Sequence, residues 1–481
     1  MSRKIIYYIS FPVMLLLVIM VTKTLIMKSK QADIQTYSTV AFNDSLVWRL
    51  QKAIQYKTLS FTDTSNNLTS EFDGFHAFLF KQFPAVFKTM TKRTFNHHAL
   101  LLHWKGRNES LSPLVLLAHQ DVVNVNDSAW KYPPFSGKIV DDFLWGRGTL
   151  DDKGSLMAIL EACEKLITEN YQPQRSIFLA FGDDEEINGV GAKQISAWLQ
   201  SQKIEPYMVI DEGLVITEGI VPMTNQPVAL IGTSEKGYLS LRITATSDGG
   251  HSSTPKSPNS IELINLYTQK LCAELSNSTI CKPVEDFMDW LGPELAWPEK
   301  VIFANRWLTQ PIITGIYRNS PSGNALVTTT CTPTVLSAGN EDNVVPQTAF
   351  AILNLRLLPG TTIENVLDQA HSIIKDEEIS IRIEGNAYNP ARVSSASGPE
   401  FNYLAGIIRS TFPDALVMPN LMLASSDSRN YSEISKNVFR FAPYRLNENA
   451  IDGIHGNNER ISVSDYRKMP VFYYQLMKSL P

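Results

Sequence analysis

Cysteine is scarce. Cys163, Cys272, Cys281 and Cys331 are the only four in 481 residues, and none belongs to a CxxC pair, so neither a thiolate zinc site nor a disulfide framework is signalled. A Cys272–Cys281 disulfide stays open at this level, and any metal must rest on histidine and carboxylates. Charge is also low, at 19% of residues, with 43 basic against 48 acidic side chains and a net charge of −5. No basic field exists to hold a phosphate backbone, which excludes nucleic acid as the partner. The 25 glycines and 26 prolines follow no period, which excludes collagenous, disordered and coiled-coil classes. Several catalytic signatures are missing: HExxH, GxSxG and GxxxxGK[ST] do not occur, and Gly146-Arg147-Gly148 lacks the third glycine of a dinucleotide fingerprint.

A long uncharged stretch occurs once, from Ile5 to Val21, behind Arg3 and Lys4. It is longer than a signal-peptide core of about 7 to 15 residues, has no small-x-small cleavage site nearby, and gains reach if Lys23 snorkels. The expectation is a signal anchor within residues 1–30, with the remaining chain on the extracytoplasmic side: periplasmic, lumenal or extracellular, and secreted if the segment is cleaved. Sequons at Asn43, Asn67, Asn108, Asn126, Asn277 and Asn430 agree weakly with export.

Downstream, apolar runs of strand length end abruptly in acidic residues or histidine. Leu114 to Ala118 leads into His119 and Asp121, Ile177 to Phe181 into Asp183 to Glu186, and Met208 to Ile210 into Asp211 and Glu212. Continuous apolar strands are those buried on both faces of a mainly parallel sheet. Helical spacing over Lys153 to Thr168 and Ala192 to Gln200 completes a strand–helix alternation, so the fold class is α/β. Asp44 to Tyr56 and Phe75 to Phe87 also read as helices. From Gly237 the texture changes: Tyr238 to Thr246 and Thr348 to Leu357 read as half-exposed strands and Ser260 to Leu275 as a helix. The organisation expected is a catalytic domain in two segments, 45–236 and 391–481. Between them lies an α+β lid or dimerisation domain, 237–390, with a Trp- and Pro-rich insertion near 283–310.

In an open α/β sheet ligands gather beyond the carboxyl ends of the strands, where these acids fall. A pair of metal ions sharing one carboxylate needs His, Asp and Glu from several loops, with a free carboxylate left as base. The chain offers such a set in order: His119-Gln-Asp121, Asp151-Asp152-Lys153, Glu185-Glu186, Asp211-Glu212 and His455. Each block alone is weak, since a solitary histidine at a strand end is more often capping or core, and acidic pairs usually face solvent. Recurrence at one sheet edge reverses those odds.

These blocks, together with Trp145 to Gly154, Gly250-His251-Ser252 and Asp427-Ser-Arg429, resemble the di-zinc peptidases that include aminoacylase, glutamate carboxypeptidase and carboxypeptidase S. The resemblance runs from about residue 45 to the C-terminus, nearest the carboxypeptidase S and N-fatty-acyl-amino-acid synthase/hydrolase branch. It implies two Zn2+ per chain, with Asp151 bridging, His119 and Asp211 on one ion, Glu186 and His455 on the other, and a cis peptide after Asp151. It implies Glu185 as general base, Asp121 as the partner that fixes the His119 tautomer, and His251 as an oxyanion stabiliser. Asn343, Arg356 and Arg429 would bind substrate, a guanidinium suiting a carboxylate through two parallel hydrogen bonds. The activity implied is hydrolysis of the amide bond beside a free α-carboxylate in small peptides or N-acyl amino acids. Alternatives are the reverse condensation and an inactive receptor or scaffold, and a homodimer is left open.

Overall fold

The computed structural model describes residues 3–35, 37, 40–61, 68–187 and 189–481, with the side chains of 3–10, 127 and 449 left aside. The sequon at Asn67 lies outside the described residues. Two compact units emerge: one of residues 29–233, 394–420 and 426–481, the other of residues 1–28, 234–393 and 421–425.

The first unit is built on a ten-stranded sheet. Its centre is parallel, in the order Ile177–Gly182, Leu114–His119, Met208–Asp211, Val438–Arg440. Every residue of Leu114–His119 and Ile177–Gly182 is buried, which explains their unbroken apolar runs. The helix Lys153–Thr168 buries twelve of its sixteen residues, including Leu156, Ile159 and Leu160, so it is a core element rather than a half-exposed cover. Because all four central strands run the same way, their carboxyl ends deliver His119, Gly182, Asp211 and Arg440 to one edge. The expected helix over 75–87 is in fact two, Thr69–Gln82 and Pro84–Thr89. Pro84 has no N–H to continue the first and fits the opening turn of the second.

The second unit holds a four-stranded antiparallel sheet, ordered Thr330–Ala338, Thr348–Leu357, Gly237–Thr246, Ile379–Ile383. Thr348–Leu357 alternates strictly between buried and less buried residues, and its inward side packs with Leu263, Ile264 and Leu271 of the helix Ser260–Leu275. The insertion is longer than the sequence suggests. It comprises helices Lys282–Leu291, Trp297–Ala304, Arg306–Arg318 and Pro321–Val327, because Pro283, Pro298 and Pro321 sit in first turns where a missing N–H costs nothing. The N-terminal helix Arg3–Ile26 belongs to this unit, where Asn305 Nδ2 donates to the Met20 carbonyl at 3.2 Å. Among the described residues no helix is long and apolar enough to cross a membrane.

Candidate metal and catalytic site

His119 ends its strand with the ring held from two sides. Nδ1 lies 3.0 Å from the Asp121 carbonyl and 3.3 Å from Asp121 Oδ1, while Nε2 lies 2.7 Å from Asp151 Oδ1. Asp151 comes from the Gly146–Asp152 loop, and its peptide bond to Asp152 is cis. The other Asp151 oxygen lies 3.0 Å from His455 Nε2, which is also 3.0 Å from Glu186 Oε2. One carboxylate therefore joins two histidines that are far apart in sequence.

Donor atoms of His119, Asp151 and Glu212 lie within 4.8 Å of one another, as do those of Asp151, Glu186 and His455. Asp151 is common to both groups, which is the arrangement two cations need. Expected to join His119, Asp211 instead belongs to neither group. Its Oδ1 accepts from Glu212 N at 2.9 Å and its Oδ2 from Ser428 N at 2.8 Å. Successive residues at a strand end project to opposite sides, so Glu212 reaches the histidine while Asp211 turns to the Asp427–Tyr431 turn.

The acidic run after Ile177–Gly182 divides by role. Asp183 accepts from His98 N at 2.7 Å, and Asp184 takes the Val190 and Gly191 N–H groups at 2.9 Å each, tying down the start of the helix Val190–Ser201. Glu185 and Glu186 are left for the site. Asp121 holds both by their backbones, its Oδ1 accepting from Glu185 N at 3.2 Å and its Oδ2 from Glu186 N at 3.1 Å, with Ser60 Oγ adding a 2.6 Å bond. Asp121 therefore anchors the backbone of both glutamates as well as lying beside the His119 ring.

Electrostatics fit a cation site. Burial, reinforced by Asp427, Glu186 and Asp151, pushes the Glu185 carboxyl well above its ordinary value. Burial and then Asp151 do the same to Glu212. For Asp151 burial acts upward, but hydrogen bonds from His119 and His455 overcome it and lower the carboxyl. His455 is raised to about 10, first by Asp151 and then by Glu186. Burial weakens His119 as a base, yet Asp121 and Asp151 raise it well above the usual imidazole range. Carboxylates this crowded cannot all ionise without positive charge between them, and Glu186 Oε1 is buried without a hydrogen-bond partner. Mixed imidazole and carboxylate donors suit a zinc-class ion.

Glu459 was not singled out from sequence. It is fully buried and receives Arg147 Nη1 at 2.6 Å, Gly148 N at 3.0 Å, Leu150 N at 2.7 Å and Asp151 N at 3.3 Å. Gly148 has φ +88°, a conformation that suits glycine and lets the loop curl around this carboxylate. The His455–Glu459 segment therefore supplies one donor and the support for the shared carboxylate.

Arg429, half-buried, donates from Nη1 to the Ser426 carbonyl at 2.8 Å in the same unit as the metal groups. Its neighbour Asp427 comes so near that a Cβ on Gly182 would meet Asp427 Oδ2 at 2.5 Å. His251, Asn343 and Arg356 lie in the other unit. His251 is exposed, its Nδ1 2.7 Å from Ser253 Oγ. Asn343 adjoins the short ladder of His251 with Val344, whereas Arg356 faces Tyr238 across the sheet with its guanidinium 4.7 Å from that ring. Asn343 precedes the strand Thr348–Leu357 and Arg356 lies near its far end.

Residues 115–479 match the profile of the peptidase family M20/M25/M40. The chain is 36% identical over 477 residues to the probable carboxypeptidase S-like 2 of Dictyostelium discoideum, covering 96% of this chain and 92% of that one. It is also 36% identical over 439 residues to the N-fatty-acyl-amino acid synthase/hydrolase PM20D1 of Xenopus tropicalis, covering 90% and 85%. The fold is similar to that of an M20 family metallo-carboxypeptidase from Sulfolobus solfataricus, with a TM-score of 0.64 at 18% identity, covering 91% of this chain and 99% of that one.

Proposed function

The chain belongs to the peptidase family M20/M25/M40 and is a hydrolase of the metallopeptidase type, and from that premise we propose that it cleaves the amide bond next to a free α-carboxylate in small peptides or N-acyl amino acids. The observation that carries this reading is the sharing of Asp151 between His119 with Glu212 and Glu186 with His455, with Glu185 adjacent to Glu186 and free of either group. His119, Asp151 and Glu212 would hold one Zn2+ and Asp151, Glu186 and His455 a second, which would supply Lewis-acid polarisation of the scissile carbonyl and acidify water toward neutrality. The acid completing the His119 ion comes from the Asp211–Glu212 pair, and the geometry favours Glu212.

Glu185 takes a proton from the attacking water and returns it to the amide nitrogen as the C–N bond breaks. Asp121, through the Glu185 and Glu186 N–H groups, keeps that base in register with the shared carboxylate. Arg429 offers a guanidinium for the substrate carboxylate in the same unit. Run backwards, the same groups condense an acid with an amino acid, and the name of the Xenopus relative includes both directions. An inactive scaffold is disfavoured because both donor groups are complete and position 185 carries a carboxylate able to act as base. Roles for His251 in oxyanion stabilisation and for Asn343 and Arg356 in substrate binding rest on the family resemblance, and alanine variants assayed separately for kcat and KM test them.

Attachment to a membrane through Arg3–Ile26 is supported by exposed Phe11, Met14, Leu17 and Val18, and carbonate extraction of membranes tests it, while an extracytoplasmic catalytic unit has only the sequons behind it and protease protection of sealed vesicles tests that. A homodimer through the second unit is supported by exposed Val335 and Leu336 on the edge strand Thr330–Ala338 and by exposed Ile261 and Leu266, and light scattering tests that. For the activity itself, the purified chain is incubated with a mixed panel of dipeptides and N-acyl amino acids, with products read by mass spectrometry. Release of C-terminal amino acids that stops on chelation and returns with zinc is the expected result. Cleavage of carboxylate-free amides alone, or full activity after chelation, would overturn the reading.

A further inference from the structure

The helical insertion of the second unit leaves and rejoins its sheet through a narrow neck. Ser278 bridges Thr328 in antiparallel fashion, Thr279 N donates to the Val327 carbonyl at 2.7 Å, and Thr329 N donates to the Asn277 carbonyl at 3.0 Å. Buried Lys236 reaches the returning strand, its Nζ donating to the Ala325 and Thr328 carbonyls at 2.9 and 2.8 Å. Directly beneath the neck, one cysteine stands on each side. Cys272 lies in the last turn of the helix Ser260–Leu275, and Cys331 is the second residue of the strand Thr330–Ala338. Both side chains pack against the apolar cluster that contains Leu271 and Leu355, and each thiol is the strongest electrostatic influence on the other.

We propose that Cys272 and Cys331 are the sites of a disulfide that closes the root of the helical insertion when the protein meets a low-molecular-weight disulfide such as oxidised glutathione. The alternatives are worse placed. Cys281 lies beyond the neck, buried at the start of the helix Lys282–Leu291, and Cys163 is buried in the other unit with its Sγ 3.6 Å from Met477 Sδ. Both thiols are partly exposed, so either can meet the oxidant, and the exchange is written with Cys272 attacking first.

The exchange balances in two steps. The Cys272 thiolate attacks one sulfur of glutathione disulfide, breaking that S–S bond and releasing one glutathione thiolate. The Cys331 thiolate then attacks the Cys272 sulfur of the mixed disulfide, forming Cys272–Cys331 and releasing the second glutathione. The two thiol protons end on the two glutathiones, and the two electrons reduce the oxidant. The ring closed spans roughly 60 residues, large enough for the cross-link to raise the melting temperature by about 5–10 °C.

The test uses the full chain with its natural sequence. After equilibration with oxidised glutathione, alkylation and non-reducing peptide mapping should find one cross-linked peptide pair, containing Cys272 and Cys331. Cys163 and Cys281 should be recovered as free thiols, and the rise in melting temperature should vanish with dithiothreitol. The Cys331→Ser variant should instead retain a single glutathione on Cys272. A Cys272–Cys281 link, an intermolecular link, or recovery of both Cys272 and Cys331 as free thiols from the oxidised protein would overturn the proposal, as would a link that leaves the melting temperature unchanged.

Discussion

Removing the Glu459 carboxylate should loosen both metal groups at once. Glu459 and Arg147 are 0% and 2% exposed and 2.6 Å apart, and three backbone N–H groups of the Gly148–Asp151 segment converge on the same carboxylate. Burial raises the Glu459 carboxyl above its ordinary value despite Arg147 and those N–H groups, so the pair is not a large net source of stability. Breaking it is another matter. Glu459→Ala strands a guanidinium and several N–H groups without water, a loss of about 3–5 kcal/mol. For a unit of this size that lowers the melting temperature by roughly 5–15 °C. Glu459→Gln keeps the shape but points an NH2 at donors, so it should fall between. The melting temperature and zinc per chain are read together, and both should drop in Glu459→Ala. Adding Arg147→Met should recover part of the melting temperature, because no charge is then left unpaired, while zinc content stays low because Asp151 has lost its support. A Glu459→Ala protein that melts within about 1 °C of wild type and keeps two ions would refute the reasoning.

The adjacent acids Asp211 and Glu212 should separate by metal content: Glu212→Gln loses zinc, whereas Asp211→Asn disturbs the Ser428 contact and keeps more of it, and the opposite order would show that the strand end turns over when ions bind. Arg429→Leu should lower kcat/KM for free-acid substrates by about 10²-fold or more while leaving amide-capped analogues little changed; equal losses on both sets would remove Arg429 from carboxylate recognition. Lys236, lowered by burial to about 8 from 10.5, binds its proton more weakly folded than unfolded, so the unfolded chain carries more protons between those values and stability should rise with pH across that window. Thermal melts from pH 8 to 10 should show that rise, and Lys236→Met should flatten it; an equal slope in both proteins would contradict the burial argument.

What could be read from the chain follows from where each signal was local. Leu114–His119 and Ile177–Gly182 were legible because burial on both faces writes an unbroken apolar run, and the acids ending each run marked the functional edge of the sheet. Composition gives Asp183 to Glu186 no order, yet the first two serve His98 N and the helix at Val190 while Glu186 contacts His455. Glu459 was hidden because its partner Arg147 lies 312 positions away and both look like ordinary polar residues in a string of letters. The Asp211–Glu212 pair turns on which way a strand end projects, and neighbouring acids carry no mark of that. Asn343 and Arg356 could be named only through the family resemblance, because an asparagine beside a short ladder and an arginine paired with Tyr238 carry no mark of substrate binding in the letters themselves. The insertion was recognised by its tryptophans and prolines, while its last helix, Pro321–Val327, lacks both an aromatic residue and a charge to betray it.

The central claim is that Glu185 moves the proton and Glu186 holds the metal, though the two are chemically alike and adjacent. Zinc per chain and kcat measured on Glu185→Gln and Glu186→Ala test it most directly. Glu185→Gln keeps size and hydrogen-bonding shape without accepting a proton, so it should retain both ions while kcat falls toward the upper end of the roughly 10² to 10⁴-fold worth of general acid–base catalysis. Glu186→Ala removes a donor that also contacts His455, so zinc and activity should fall together. A Glu185→Gln protein that sheds zinc beside a Glu186→Ala protein that keeps two ions would contradict the account.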